Sequence, residues 1–116
     1  MAINPKRGEI WRVSLDPTVG AEIQKARPVI VISSDAVGIL PLRLIAPVTG
    51  WQTAFDRYEW HVRLTPSAQN GLSKMSSIDT LQLRGVDLSR FVIRLGSVEN
   101  DDLLRIVRAI NAVIGA

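Results

Sequence analysis

Between Glu9 and Leu95 a two-residue apolar period recurs in several short stretches separated by turn residues, and a 3.6-residue period appears clearly only after Gly96. Such a pattern specifies strands first and one helix last. Glu9 to Leu15 sets Trp11, Val13 and Leu15 on one face. Pro28 to Ser34 carries Val29, Ile30, Val31 and Ile32 in succession, apolar on both faces as a central strand requires. Leu42 to Val48 follows, and Tyr58, Trp60, Val62 and Leu64 alternate with Glu59, His61 and Arg63. Pro66 to Leu72 reads as a loop. Two further strands are expected around Ile78 to Arg84 and Phe91 to Leu95. After Gly96, Ser97 or Asn100 caps a helix with Asp101 and Asp102 in its first turn and Gly115 as its stop. Its apolar face holds Leu103, Val107, Ile110 and Ile114, widened by Leu104, Ile106 and Val113. Six strands and a terminal helix, without strand–helix alternation, predict a mainly β fold: a small, strongly bent antiparallel barrel in one domain spanning residues 1–116.

Composition narrows the chemistry. The 116 residues contain no cysteine and one histidine, His61. Disulfides, zinc–thiolate sites and thiol nucleophiles are excluded, and a two-histidine ribonuclease site cannot form within one chain. Glu99, Asp101 and Asp102 are the only clustered carboxylates at ligand-like spacing, and a helix start accounts for them. No metal or other cofactor is expected. The formal charge of +3 favours anionic partners. Residues 1–34 carry five basic against three acidic side chains, residues 35–75 four against three, and residues 76–116 five against five, so the excess lies toward the front. No secretory leader or long apolar run is visible, which predicts a cytoplasmic protein away from membranes.

The segment from Asp16 to Pro28 is polar and roughly a dozen residues long, more than most strand connections need, and therefore a candidate functional loop. Pro28 holds Arg27 extended at the mouth of the apolar strand, where a guanidinium grips a phosphate or, alternatively, staples the loop through Glu22. Trp51, just past Thr49 and Gly50, is a candidate platform for an unstacked base, or a plug for the barrel end. Trp11 and Trp60 read as core, and His61 as a surface residue on the wet face of its strand.

The blocks Arg7-Gly8-Glu9-Ile10-Trp11, Asp16-Pro17-Thr18-Val19-Gly20, Lys25-Ala26-Arg27-Pro28-Val29-Ile30-Val31-Ile32-Ser33 and Pro47-Val48-Thr49 resemble the signature blocks of the PemK/MazF family of toxin endoribonucleases. Gln82-Leu83-Arg84, Asp87 to Phe91 and the closing helix extend the resemblance over nearly the whole chain, with residues 50 to 80 the loosest part. The resemblance implies an SH3-like barrel of the PemK/MazF and CcdB type. It also implies a homodimer, metal-independent cleavage of single-stranded RNA, and silencing by a MazE-like antitoxin peptide. Arg27 and Thr49 match the family's catalytic pair, and Glu22 matches an acidic loop residue considered as proton acceptor. Gln82 and Arg84 match a Gln-x-Arg on a later strand. With Gln24 and Lys25 they would supply base-edge and phosphate contacts. Leu81 and Gly85 depart from the family pattern, which often has an acid and a Thr or Ser there.

The chemistry suits these residues. Metal-free cleavage would use the adjacent 2′-hydroxyl as nucleophile, with Arg27 able to stabilise the extra charge and Thr49 able to donate to a non-bridging oxygen, and the expected products are a 2′,3′-cyclic phosphate and a 5′-hydroxyl. Two rivals are a CcdB-like gyrase poison and a barrel that binds nucleic acid without cutting it. The poison class depends on an aromatic carboxy-terminal end, whereas this sequence ends Ile114-Gly115-Ala116.

Overall fold

The computed structural model describes residues 3–23 and 25–116. Seven strands and one helix follow in order: β1 (Glu9–Ser14), β2 (Ala26–Val31), β3 (Leu42–Gly50), β4 (His61–Leu64), β5 (Ser76–Asp79), β6 (Arg84–Asp87), β7 (Phe91–Ser97) and α1 (Asn100–Ile114). All pairings are antiparallel, and the sheet runs β4-β5-β3-β2-β1-β7 with β6 added to β3. The nine-residue β3 holds the sheet together. Its first half pairs with β6, its middle with β2, and its last three residues with β5, so the sheet turns a corner along one strand.

Residues of the central strands alternate between two apolar clusters, as their two-faced sequences require. Ile10, Ile30, Ala46 and Val48 point toward α1 and meet Ile106 and Ala109. Trp11, Val13, Val29, Val31 and Ile45 point the other way and pack with Val86 and Phe91. Each fully buried aliphatic side chain contributes roughly 1.5–3 kcal/mol, so the core lies mostly in the first fifty residues and the helix closes one side.

The structure corrects several expected boundaries. The described residues form seven strands rather than six, because the stretch expected to run from Ile78 to Arg84 breaks at a 3-10 turn, Thr80–Gln82. Asp79 Oδ1 accepts from Leu81 N at 3.1 Å, and the Thr80 hydroxyl donates to Trp60 O at 2.8 Å. Those bonds bend the chain out of the ladder. The strand expected from Tyr58 begins only at His61, after a 3-10 turn at Thr53–Arg57, and Tyr58 and Trp60 stack on each other at 4.7 Å near the surface. Trp11 is core as expected, whereas Trp60 is only half-buried. On α1 the N-cap is Glu99, without a side-chain capping bond, and Gly115 closes the helix at φ +73°.

One buried cation was not foreseen. Arg43, 3 % exposed, donates to the carbonyls of Pro5, Gly38, Leu40 and Leu42 and to Asn4 Oδ1. It knits the N-terminal segment to the loop before β3. Arg43→Ala should lower the unfolding free energy by about 3 kcal/mol, since each orphaned buried carbonyl costs on the order of 1 kcal/mol. A denaturant midpoint equal to wild type would contradict this.

Candidate active site

Arg27 stands second in β2 and Thr49 next to last in β3. Val29 pairs with Pro47, so two residues further along each strand Arg27 and Thr49 come opposite each other where the ladder opens. Both line a cleft of about 440 Å³. Arg12, Lys25 and Lys74 line it as well, and among its described lining residues there is no carboxylate. A concave site with four cationic side chains and no acid is built for a polyanion. The Thr49 hydroxyl has no hydrogen-bond partner among the described residues, so it is not consumed by its own turn and remains available as a donor.

The loop between β1 and β2 is fixed from one side. Ile23 N donates to Gln82 Oε1 at 2.8 Å, Arg84 donates to Leu15 O at 3.2 Å, and Arg90 donates to the carbonyls of Ser14 and Asp16. At its end Lys25 is held at φ +70°, its N–H donating to Asp16 Oδ1 at 2.9 Å and its carbonyl accepting from Leu15 N at 3.1 Å. A left-handed lysine is a strained conformation of the kind retained at working sites. It sets Lys25 on the wall of the cleft beside Arg27.

The expected site residues therefore divide into groups. Arg27, Thr49 and Lys25 share the cationic cleft. Glu22, Gln82 and Arg84 line a separate pocket of about 390 Å³, mostly apolar, whose wall includes Leu15, Ile23 and Leu83. Glu22 closes its own loop, with Oε1 accepting from Val19 N at 2.7 Å, and the Glu22–Arg27 staple is not among the ion pairs of the described residues. The Gln82 amide is engaged on both sides, accepting from Ile23 N and donating to Asp79 Oδ2 at 3.1 Å. Its observed part is to tie the loop to the barrel. Gln24 lies outside the described residues. Leu81 is exposed at the rim of the apolar pocket, and Gly85 pairs with Leu44 on the edge strand with open space around it.

Lys74 was missed, as was Arg12. Lys74 belongs to a loop before β5, and its Nζ lies 3.3 Å from where a Cβ on Gly50 would stand. Glycine at position 50 lets the ammonium cross the end of β3. The Gly71 and Gly96 contacts that hold this loop against β7 explain its place, and no local sequence signal announces them.

Trp51 stands outside the cleft's lining, half-buried, with the Arg63 guanidinium carbon 5.0 Å from its ring centroid and Phe55 at its edge, 5.9 Å away. Phe55 in turn stacks on His61 at 3.7 Å. His61 is thus half-buried and built into an aromatic row. Burial lowers its pKa below the ordinary imidazole value, with Asp79 partly opposing.

The family model of the PemK-like, MazF-like toxins of type II toxin–antitoxin systems matches residues 6–114. "Endoribonuclease MazF9" of Mycobacterium tuberculosis is 30% identical over 111 residues, 90% of this chain and 92% of its own length. "Endoribonuclease EndoA" of Bacillus subtilis is 26% identical over 106 residues, 90% of each chain. Among solved structures, MazF from Deinococcus radiodurans superposes with a TM-score of 0.83 at 24% identity, covering 99% of this chain and 100% of that one. A mycobacterial endoribonuclease in complex with its cognate antitoxin superposes with a TM-score of 0.77 at 18% identity, covering 96% and 95%.

Proposed function

The chain belongs to the PemK-like, MazF-like toxin family, a class of endoribonucleases, and from that premise we propose how its own residues act. Single-stranded RNA lies along the cationic cleft with the scissile phosphate between Arg27 and Thr49. The observation that carries this reading is that both residues line one cleft, rich in cations and free of carboxylates among its described residues. Arg27 binds the non-bridging oxygens and stabilises the charge that grows as the adjacent 2′-hydroxyl adds to phosphorus. Thr49 donates to one of those oxygens. The bond to the 5′-oxygen then breaks, leaving a 2′,3′-cyclic phosphate on one fragment and a 5′-hydroxyl on the other. Glu22 stands on the far side of the loop with its carboxylate on Val19 N, so it reaches a proton only if that turn opens.

Lys25 and Lys74 hold flanking phosphates. Lys74→Ala should weaken RNA binding by a similar factor for all sequences and reduce the slope of log affinity against log salt by about 0.7, the increment of one phosphate contact on a single strand. An unchanged slope would remove Lys74 from the interface.

The apolar pocket beside Glu22, Gln82 and Arg84 supports a second part of the reading. It accepts an apolar side chain of an acidic antitoxin peptide whose carboxylates cover the cationic cleft across the same loop. A solved relative stands in complex with its cognate antitoxin, which supports an antitoxin as the partner. Ile39, Leu40, Leu42 and Leu44, exposed before and along β3, offer an apolar surface to a second copy, consistent with a homodimer. No helix among the described residues is long and apolar enough to cross a membrane, and a substrate of messenger RNA sets the proposed place of action in the cytoplasm.

The test is to incubate the protein with a long single-stranded RNA in excess chelator and map the ends. Cuts at a short recurring sequence, leaving 5′-hydroxyls, are expected. Intact RNA would overturn the assignment, and gyrase-dependent DNA breakage in its place would move the protein to the poison class.

A further inference from the structure

On β5, Ser77 pairs with Thr49 on one side and with Arg63 on the other. Residues paired across an antiparallel ladder share a face, and neighbouring strands lie about 4.8 Å apart, so Arg63 stands roughly 10 Å from Thr49 on the same face of the sheet. That face is furnished with rings. The Arg63 guanidinium lies over Trp51, Phe55 meets Trp51 edge to face at 84°, and Phe55 and His61 are parallel within 3°. The row is anchored at its base, where His61 Nδ1 and the fully buried Ser77 Oγ are 2.8 Å apart. Arg63 itself is exposed, and among the described residues its guanidinium makes no hydrogen bond or ion pair.

We propose that Arg63, laid on Trp51, is a stacking subsite for one nucleobase beside the scissile phosphate. This rests on the reading of the cleft as an RNA-cleaving site. A planar delocalised cation supported by an indole offers a flat surface on which an unpaired base stacks, and an ammonium offers none. The distance from Thr49 suits a base close to the cut rather than a remote one. Trp51, expected from the sequence to be the platform, instead supports the platform, because the guanidinium already occupies its ring. Stacking of this kind accepts any base with a π-face, so the subsite contributes affinity and positioning more than identity.

The test uses a short RNA containing the mapped cleavage sequence and a series of substrates each lacking one base within two nucleotides of the cut. With the wild-type protein, loss of one particular base should lower kcat/KM about tenfold. Arg63→Ala should lose about the same factor on the intact RNA and become indifferent to removal of that base. Arg63→Lys should behave like Arg63→Ala, and both variants should keep the wild-type melting temperature. The same series, read as equilibrium binding to RNA with a 2′-deoxy group at the cut, supplies the result independently of turnover. Equal base-removal penalties in wild type and Arg63→Ala, or an Arg63→Ala protein indistinguishable from wild type, overturns the subsite. Failure of the nuclease reading shows separately, as absence of cleavage by the wild type.

Discussion

Arg27→Ala is expected to lower the rate of RNA cleavage by 10²- to 10³-fold, the effect of deleting one preorganised donor aimed at developing charge, while leaving the melting temperature close to wild type. The side chain is half-exposed at the open end of β2 and fills no core space, so its removal leaves no cavity. Arg27→Lys should recover only part of the activity, because an ammonium cannot hold two phosphate oxygens in the planar bidentate arrangement. Thr49→Ala should show a similar fall in kcat, since its hydroxyl has no other partner among the described residues. Single-turnover rates at saturating protein separate these effects from binding. Activity within threefold of wild type in Arg27→Ala would remove that residue from the chemistry.

Gly96→Ala is expected to have the largest effect on stability. A Cβ at Gly96 would lie 2.2 Å from Gln69 O and 2.6 Å from Asn70 C, both backbone atoms, so no rotamer change relieves the overlap. The two segments touch elsewhere too. Ser97 N donates to Gln69 O at 2.9 Å, and a Cβ at Gly71, already at φ +70°, would meet Leu95 O at 2.1 Å. Separating them should cost about 3 kcal/mol or more, a fall in melting temperature of roughly 10–20 °C for a chain of this size. The consequence reaches the site, because Gly71, Leu72 and Lys74 continue from this contact into the lining of the cleft. A calorimetric midpoint within a few degrees of wild type would contradict the account of this contact.

The parts legible in the sequence were those that local rules determine. The two-faced run Val29 to Ile32 reads as central because no other placement hides both its faces, and Ile30 and Val31 do enter opposite clusters. The terminal helix follows from its period and its glycine stop. Pro28 singles out Arg27 by fixing its backbone, whereas Thr49 is pointed to only by the family resemblance, and both line one cleft. What escaped depends on contacts between distant segments. The break at Thr80 arises from a hydroxyl reaching Trp60 O, which alternation cannot reveal. Arg43 is buried by backbone carbonyls that gather around it from distant segments, and nothing in its neighbours Leu42 and Leu44 announces them. Lys74 lines the cleft from a loop whose Gly71 comes against Leu95 and whose neighbours Gln69 and Asn70 come against Gly96. The resemblance matches Gln82 to a Gln-x-Arg on a later strand, and only the fold shows its amide hydrogen-bonded to the loop and to Asp79.

The reaction itself is tested most directly by one substitution in the substrate. An RNA carrying a single 2′-deoxynucleotide at the mapped cut position, incubated in excess chelator, should remain intact at that position while cuts elsewhere proceed, because the proposed nucleophile is the missing hydroxyl. Cleavage of the deoxy-substituted bond at an undiminished rate would contradict a mechanism in which Arg27 and Thr49 stabilise attack by the RNA's own 2′-oxygen.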